Sequence, residues 1–162
     1  MSKSNLLYYF NSKEQVYFDV VNHLLSTWLT PLQQFSVEQD PITTLSNYIR
    51  VKLEQSRDNP AESKLFCMEV VQGAPHLINE LQKPLKDLVL AKTAVIDSWI
   101  AQGKLKPVDP YHLIFSIWAI TQHYADFNVQ IKAVTGKDLN NPKFFKEALE
   151  HIQRIVLDGV RP

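Results

Sequence analysis

Three residues of one apolar stretch hold a chemistry worth testing. Phe115, Trp118 and Gln122 follow an i, i+3, i+7 spacing, which puts them on one face of a helix. A primary amide offers one acceptor and two donors in a plane. A flat heterocycle with adjacent N–H and C=O groups can pair with it through two bonds, the logic by which Asn and Gln read adenine. An indole alongside can stack on such a ring, worth roughly 1–3 kcal/mol by analogy with bases on aromatic side chains. The competing reading is that Gln122 bonds a neighbouring helix and Trp118 is plain core. The stretch runs apolar nearly all round from Leu113 to Ile120 and then turns polar: Thr121, Gln122, His123, Tyr124, Ala125, Asp126. Polar groups inside a buried helix are costly unless hydrogen-bonded, so backbone, partner subunit, water or ligand must satisfy them.

Other chemistry is thinly represented. No two glycines lie within twenty residues of each other, so no phosphate-cradling loop exists. No serine sits in a Gly-x-Ser-x-Gly elbow. His23, His76, His112, His123 and His151 include no i, i+4 pair of the zinc-protease kind. Glu54 and Asp58 could share a helix face, but Lys52 and Arg57 beside them make a solvated charged face the simpler expectation. Cys67, in Leu-Phe-Cys-Met-Glu-Val, reads as a buried and unactivated thiol. Gln122, His123 and Asp126 are the residues an enzyme acting on a heterocycle would use, yet nucleophile, base and oxyanion donors are nowhere assembled together. The expectation is no catalytic residue, no metal site and no cofactor.

The elements that must position these groups are marked by punctuation. The four glycines, Gly73, Gly103, Gly136 and Gly159, each follow a stretch of helical apolar spacing and suit helix ends. Asp40-Pro41, Asn59-Pro60, Asp109-Pro110 and Asn141-Pro142 each pair an N-cap with a first-turn proline. Ser12 with Gln15 suggests a capping box. These signals predict six helices over 13–36, 42–58, 61–72, 77–102, 110–135 and 142–158, with a short helical piece over 3–9 before them. Pro31 and Pro84 fall inside helical patterns and are expected to kink or break them. No period-two alternation is bounded by hairpin turns, so the fold class is all-α. On the last helix, Phe145, Leu149, Ile152 and Val156 form a stripe widened by Phe144, Ala148 and Ile155. A subunit interface is preferred for it over a deeply packed helix.

The chain has 162 residues, 45% apolar and 21% charged, with 17 basic and 17 acidic side chains. That is an ordinary globular composition with no net basic charge to mark a nucleic-acid surface. A single cysteine excludes an internal disulfide and points to a reducing compartment. The apolar run is too short to span a membrane, and the opening residues lack a signal-peptide core. The chain is read as cytoplasmic, with no membrane partner.

Ser2-Lys3-Ser4-Asn5-Leu6-Leu7-Tyr8-Tyr9-Phe10-Asn11-Ser12-Lys13-Glu14 closely resembles the end of a TetR-family DNA-binding domain. There a recognition helix closes on Tyr-Tyr-Phe and a Ser-Lys-Glu start opens the next helix. Ser56-Arg57-Asp58, Leu65-Phe66-Cys67-Met68-Glu69, Gly73-Ala74-Pro75, Trp118-Ala119, Thr121 to Phe127 and the stretch from Gln153 to Pro162 carry the likeness along the chain, and narrow it to pyrimidine-utilisation repressors of that family. The resemblance implies a homodimeric transcriptional regulator sensing a small pyrimidine such as uracil or thymine. Trp118 and Gln122 would line the ligand site, and Phe115 and Phe66 are grouped with them. Lys3, Ser4, Asn5, Tyr8 and Tyr9 would sit in or beside the major groove of operator DNA, with Lys13 on a phosphate. Residues 1–12 are then a remnant of the helix-turn-helix and residues 13–162 the ligand-binding and dimerisation domain. Two helices that normally brace the recognition helix have no counterpart here. The expectation is therefore a shortened product with little specific DNA binding and a frayed piece before Ser12. The rival is a helical homodimerisation module without a ligand, in which Gln122 is satisfied within the core.

Overall fold

Cap residues and first-turn prolines set where the helices begin. The computed structural model describes residues 12–162, and these form helices joined by short loops, with no strand among the described residues. Helix α1 spans Lys13–Gln33, α2 Pro41–Asp58, α3 Pro60–Val71 and α4, a single turn, Ile78–Glu80. A π-helical turn, Leu81–Leu85, leads into α5, Lys86–Ala101. Then come α6, Pro110–Asp126, α7, Asn128–Thr135, and α8, Pro142–Val160. Asp40, Asp109 and Asn141 accept hydrogen bonds from the backbone N–H groups of Thr43, His112 and Phe144 at 2.8, 3.1 and 2.9 Å, satisfying donors the helix itself leaves orphaned. Asn59 makes no such bond. It is at once the C-cap of one helix and the N-cap of the next, and its own N–H is held by Gln55 O at 2.9 Å. Ser12 accepts from Gln15 N at 3.1 Å, but the Gln15 amide turns to Asp19, so the capping box is half made.

The two internal prolines are accommodated differently. Pro31 cannot donate to Thr27 O, four residues back; the Gln55 side chain on α2 donates there instead, at 3.1 Å, and α1 runs on to Gln33. Pro84 sits in the π-helical turn, whose wider backbone relieves the clash with the carbonyl four residues earlier. The expected helix over 77–102 is therefore three pieces.

The expected helix over 110–135 is two, breaking at Phe127 with no glycine or proline to announce it. Two bonds from α3 hold that junction: Ser63 Oγ to Asp126 Oδ1 at 2.5 Å and Lys64 Nζ to Asn128 Oδ1 at 2.7 Å. Gly136 closes α7 with φ 72°, its N–H on Lys132 O. Gly159 does not end a helix, since α8 continues through it to Val160.

Helix α2 is the centre of the packing, lying against α6, α8 and α1, while α6 also packs on α3 and α5. The main core joins Leu45, Ile49 and Leu53 of α2 to Ile114 and Ile117 of α6, Ile96 and Trp99 of α5, and Ile152 and Val156 of α8. Each such buried side chain contributes ~1.5–3 kcal/mol. A smaller cluster under the α3–α4 loop joins Val21, Ala74 and Leu77, with Phe66 packed against it. Among the described residues no helix is long and apolar enough to cross a membrane.

The apolar stripe of α8 packs largely within its own chain. Ile152 and Val156 are 1% and 7% exposed within one chain, and Phe145 and Leu149 pack half-buried against the same core. Helix α2 covers much of this face, while Ile152 also borders the open groove shared by α6, α7 and α8.

Candidate functional site

Helix α6 carries Trp118 and Gln122 one turn apart, and both line the same small hollow. Its other walls come from Trp28 on α1, Lys52 on α2, Phe66 on α3 and Leu85 of the π-helical turn. Four helices and the turn therefore converge on it. Its volume is about 50 Å³, room for a water or two, whereas an apolar cavity that takes a benzene ring is about 150 Å³. Trp118 and Leu85 are also the wall it shares with an outer groove of about 670 Å³.

The polar groups of this region divide sharply. Trp118 Nε1 donates to Tyr48 Oη at 2.6 Å, which fixes the indole plane. Burial raises the Tyr48 hydroxyl above the ordinary tyrosine range, against a smaller opposing effect of the indole bond, so it stays protonated. Thr121 is buried and returns its hydroxyl to Ile117 O at 2.7 Å. Asp126 accepts from Ser63. His123 is exposed and stacks on Phe127 at 4.9 Å. Gln122, half-buried, makes no side-chain hydrogen bond among the described residues, nor do His123 and Tyr124, but of these three only Gln122 lines the hollow.

Lys52 is the residue the sequence reading misplaced. Glu54 and Asp58 do lie on a charged, partly exposed face, paired with Arg50 and Arg57. Lys52 points the other way and is 3% exposed. Its ammonium lies 4.1 Å from the centre of the Trp28 ring and donates to Trp28 O at 3.3 Å. No carboxylate lies within ion-pair distance of it among the described residues. Burial pulls it down to about 7. The signal was present: Lys52 interrupts the stripe Leu45, Tyr48, Ile49, Leu53, whose members all face the core. Trp28 was missed because α1 shows only a weakly sided apolar pattern.

Of the four proposed ligand residues, Trp118, Gln122 and Phe66 are brought together. Phe115 is not. Its ring is 5.7 Å from that of Trp118, but it is 47% exposed and lines the outer groove with Tyr111 and Val89. One α-helical face is wide enough to hold both rings while only one looks inward. Cys67 is partly rather than fully buried; burial first, and Asp126 second, push its thiol up, away from reactivity. Lys13 is exposed at the start of α1, while Lys3, Ser4, Asn5, Tyr8 and Tyr9 lie outside the described residues.

A second polar cluster ties α1 to the α3–α4 loop. Glu69, 1% exposed, accepts from Tyr17 Oη at 3.0 Å and from His76 N at 2.7 Å, and its Oε2 lies 3.2 Å from His76 Nδ1. Burial pushes its carboxyl up, but the bonds from His76 and Tyr17 outweigh this and hold it below the ordinary glutamate range. In the same loop Ala74 takes φ 53°, a left-handed conformation rare outside glycine.

Comparison with known proteins places this arrangement. The family described as "YcdC-like protein, C-terminal region", a TetR C-terminal domain, matches residues 21–162. The HTH-type transcriptional regulators RutR of Escherichia coli and of Shigella flexneri are each 52% identical to the chain over 162 residues, covering 100% of it and 76% of the relative. These relatives are transcriptional regulators, not enzymes, which removes the catalytic use of Gln122, His123 and Asp126. With the family matched over nearly all the helical body and more than half of all positions identical to such regulators, the chain belongs to the TetR family of transcriptional regulators.

Proposed function

We propose that the chain is the sensing and dimerising body of a regulator that responds to a small planar pyrimidine, uracil or thymine, bound between Trp118 and Gln122. One observation carries the reading: a half-buried amide without a partner faces a hollow walled by three aromatic side chains. That amide keeps free donors and an acceptor, which a ring with an adjacent N–H and C=O can match. The empty hollow is too small for such a ring, so binding requires Trp118 or Leu85 to move and join it to the outer groove. Phe115, on the rim of that groove, then flanks the entry.

Residues 13–162 form the ligand-binding and dimerisation domain of this reading. Helix α1 contributes Trp28 to the hollow and runs from there toward the segment resembling the recognition helix. Occupancy that tilts α1 changes the spacing of the two recognition helices in a dimer, which must match half-sites about one DNA turn apart. Ligand shifts that equilibrium only by its differential affinity for the two arrangements. The dimer face consists of α6, α7 and α8, where Ile120, Tyr124, Ile131, Val134 and Ile155 line an open apolar groove. Ile152 of the α8 stripe lines the same groove. A cytoplasmic location follows from the DNA-directed role.

Thermal-shift titration tests the proposal. Binding selective for the folded state must raise the melting temperature with ligand concentration. Uracil or thymine raises it for the wild type, and Gln122→Ala folds normally but shows no shift. An unchanged melting temperature at millimolar uracil and thymine leaves the ligand-free dimerisation module in its place.

A further inference from the structure

We propose that Lys52 is the specificity-determining residue of this hollow, its ammonium donating to a ring oxygen of the effector and selecting oxo-pyrimidines whose ring N–H is most acidic. The inference rests on the pyrimidine reading and adds to it a rule for which pyrimidines bind best.

An apolar side chain would serve the α2 stripe better than a lysine if packing were its only task, since a buried charge without a partner is destabilising. Lys52 has three donors. One goes to a helical carbonyl, Trp28 O, and no carboxylate pairs with it among the described residues. The ammonium lies against the ring of Trp28, and Trp28, Lys52 and Gln122 all line the hollow. Gln122 can match a donor–acceptor edge of a ring, but Lys52 can match only an acceptor. A ring with an N–H between two carbonyls and a second N–H outside one of them offers both: that outer N–H and its neighbouring carbonyl pair with the amide, and the far carbonyl accepts from the ammonium, leaving the central N–H free to ionise.

Charge on that second oxygen then sets affinity. When the ring N–H is lost, negative charge spreads onto the flanking oxygens and the bond to an ammonium strengthens. Burial leaves the empty site's amine close to neutral balance. An acidic ring can therefore hand over its proton: the ring N–H bond breaks, an Nζ–H bond forms, and ammonium and ring anion are left paired. No other reactant is needed.

Titration calorimetry near neutral pH with uracil and 5-fluorouracil, rings of nearly equal size that differ in N–H acidity, decides the matter. The wild type binds 5-fluorouracil several-fold more tightly than uracil. Lys52→Met, similar in length and uncharged, melts at the same temperature or higher, loses roughly tenfold or more in uracil affinity and binds the two rings alike. Equal binding of both rings by the wild type overturns the inference, and does so even if the variant fails to fold. So does a variant that keeps the wild-type affinities, or one that melts lower yet keeps the preference, which would make Lys52 only an anchor of α2 on Trp28. A wild type that binds neither ring removes the pyrimidine reading and this inference with it, a result distinct from equal binding.

Discussion

Gln122 and Lys52 come from different helices and are left with unused hydrogen-bonding capacity on one small hollow. The Gln122→Ala variant therefore separates binding from folding: no internal bond is lost, so stability stays within about 0.5 kcal/mol while the ligand-induced shift disappears. Lys52 adds a pH signature. Its folded value of about 7 lies below the ordinary lysine range, so between the two the unfolded chain holds a proton that the folded chain has released. Stability must then rise with pH across that window. Urea titrations at about pH 7 and about pH 9 show a larger gain for the wild type than for Lys52→Met. Glu69 is the opposite case, a buried carboxylate fully engaged by Tyr17 and His76. Glu69→Ala strands those donors and costs about 2–3 kcal/mol in urea unfolding.

At the scale of elements, helix starts were legible because their signals are local. Asp40, Asp109 and Asn141 each have a proline next to them and a free N–H three residues on, and all three cap as read. Asp109 starts the helix that carries Trp118 and Gln122, so Asp109→Ala costs about 1 kcal/mol, read from the melting curve. What misled was set by neighbours. Asn59 is shared by two helices, the break at Phe127 is held by Ser63 and Lys64 from α3, and α1 continues past Pro31 because Gln55 on α2 takes the vacated carbonyl. None of these partners is visible in the residues of the helix concerned. The α8 stripe meets the same limit: periodicity shows that a face is apolar, not whether it meets its own chain or another.

For the whole molecule, the family followed from motifs spread along the chain and the all-α body from helix punctuation, and Trp118, Gln122 and Phe66 line one hollow. Lys52 and Trp28 needed the tertiary fold, because only the packing of α2 against α1 turns a lysine in a charged segment inward. The groove over α6, α7 and α8 leaves Ile155 53% and Val134 81% exposed. Ile155→Glu should convert a dimer to a monomer in light scattering while leaving the single-chain melting transition in place, since that side chain is not part of the core. The central claim is the seat of the effector, and a crystal structure grown with uracil examines it most directly. A flat ring is expected against Trp118, with two bonds to the Gln122 amide and a carbonyl oxygen toward Lys52 Nζ. Uracil density elsewhere, such as on the α6–α8 face, with the Trp118–Gln122 hollow unchanged, would contradict the account.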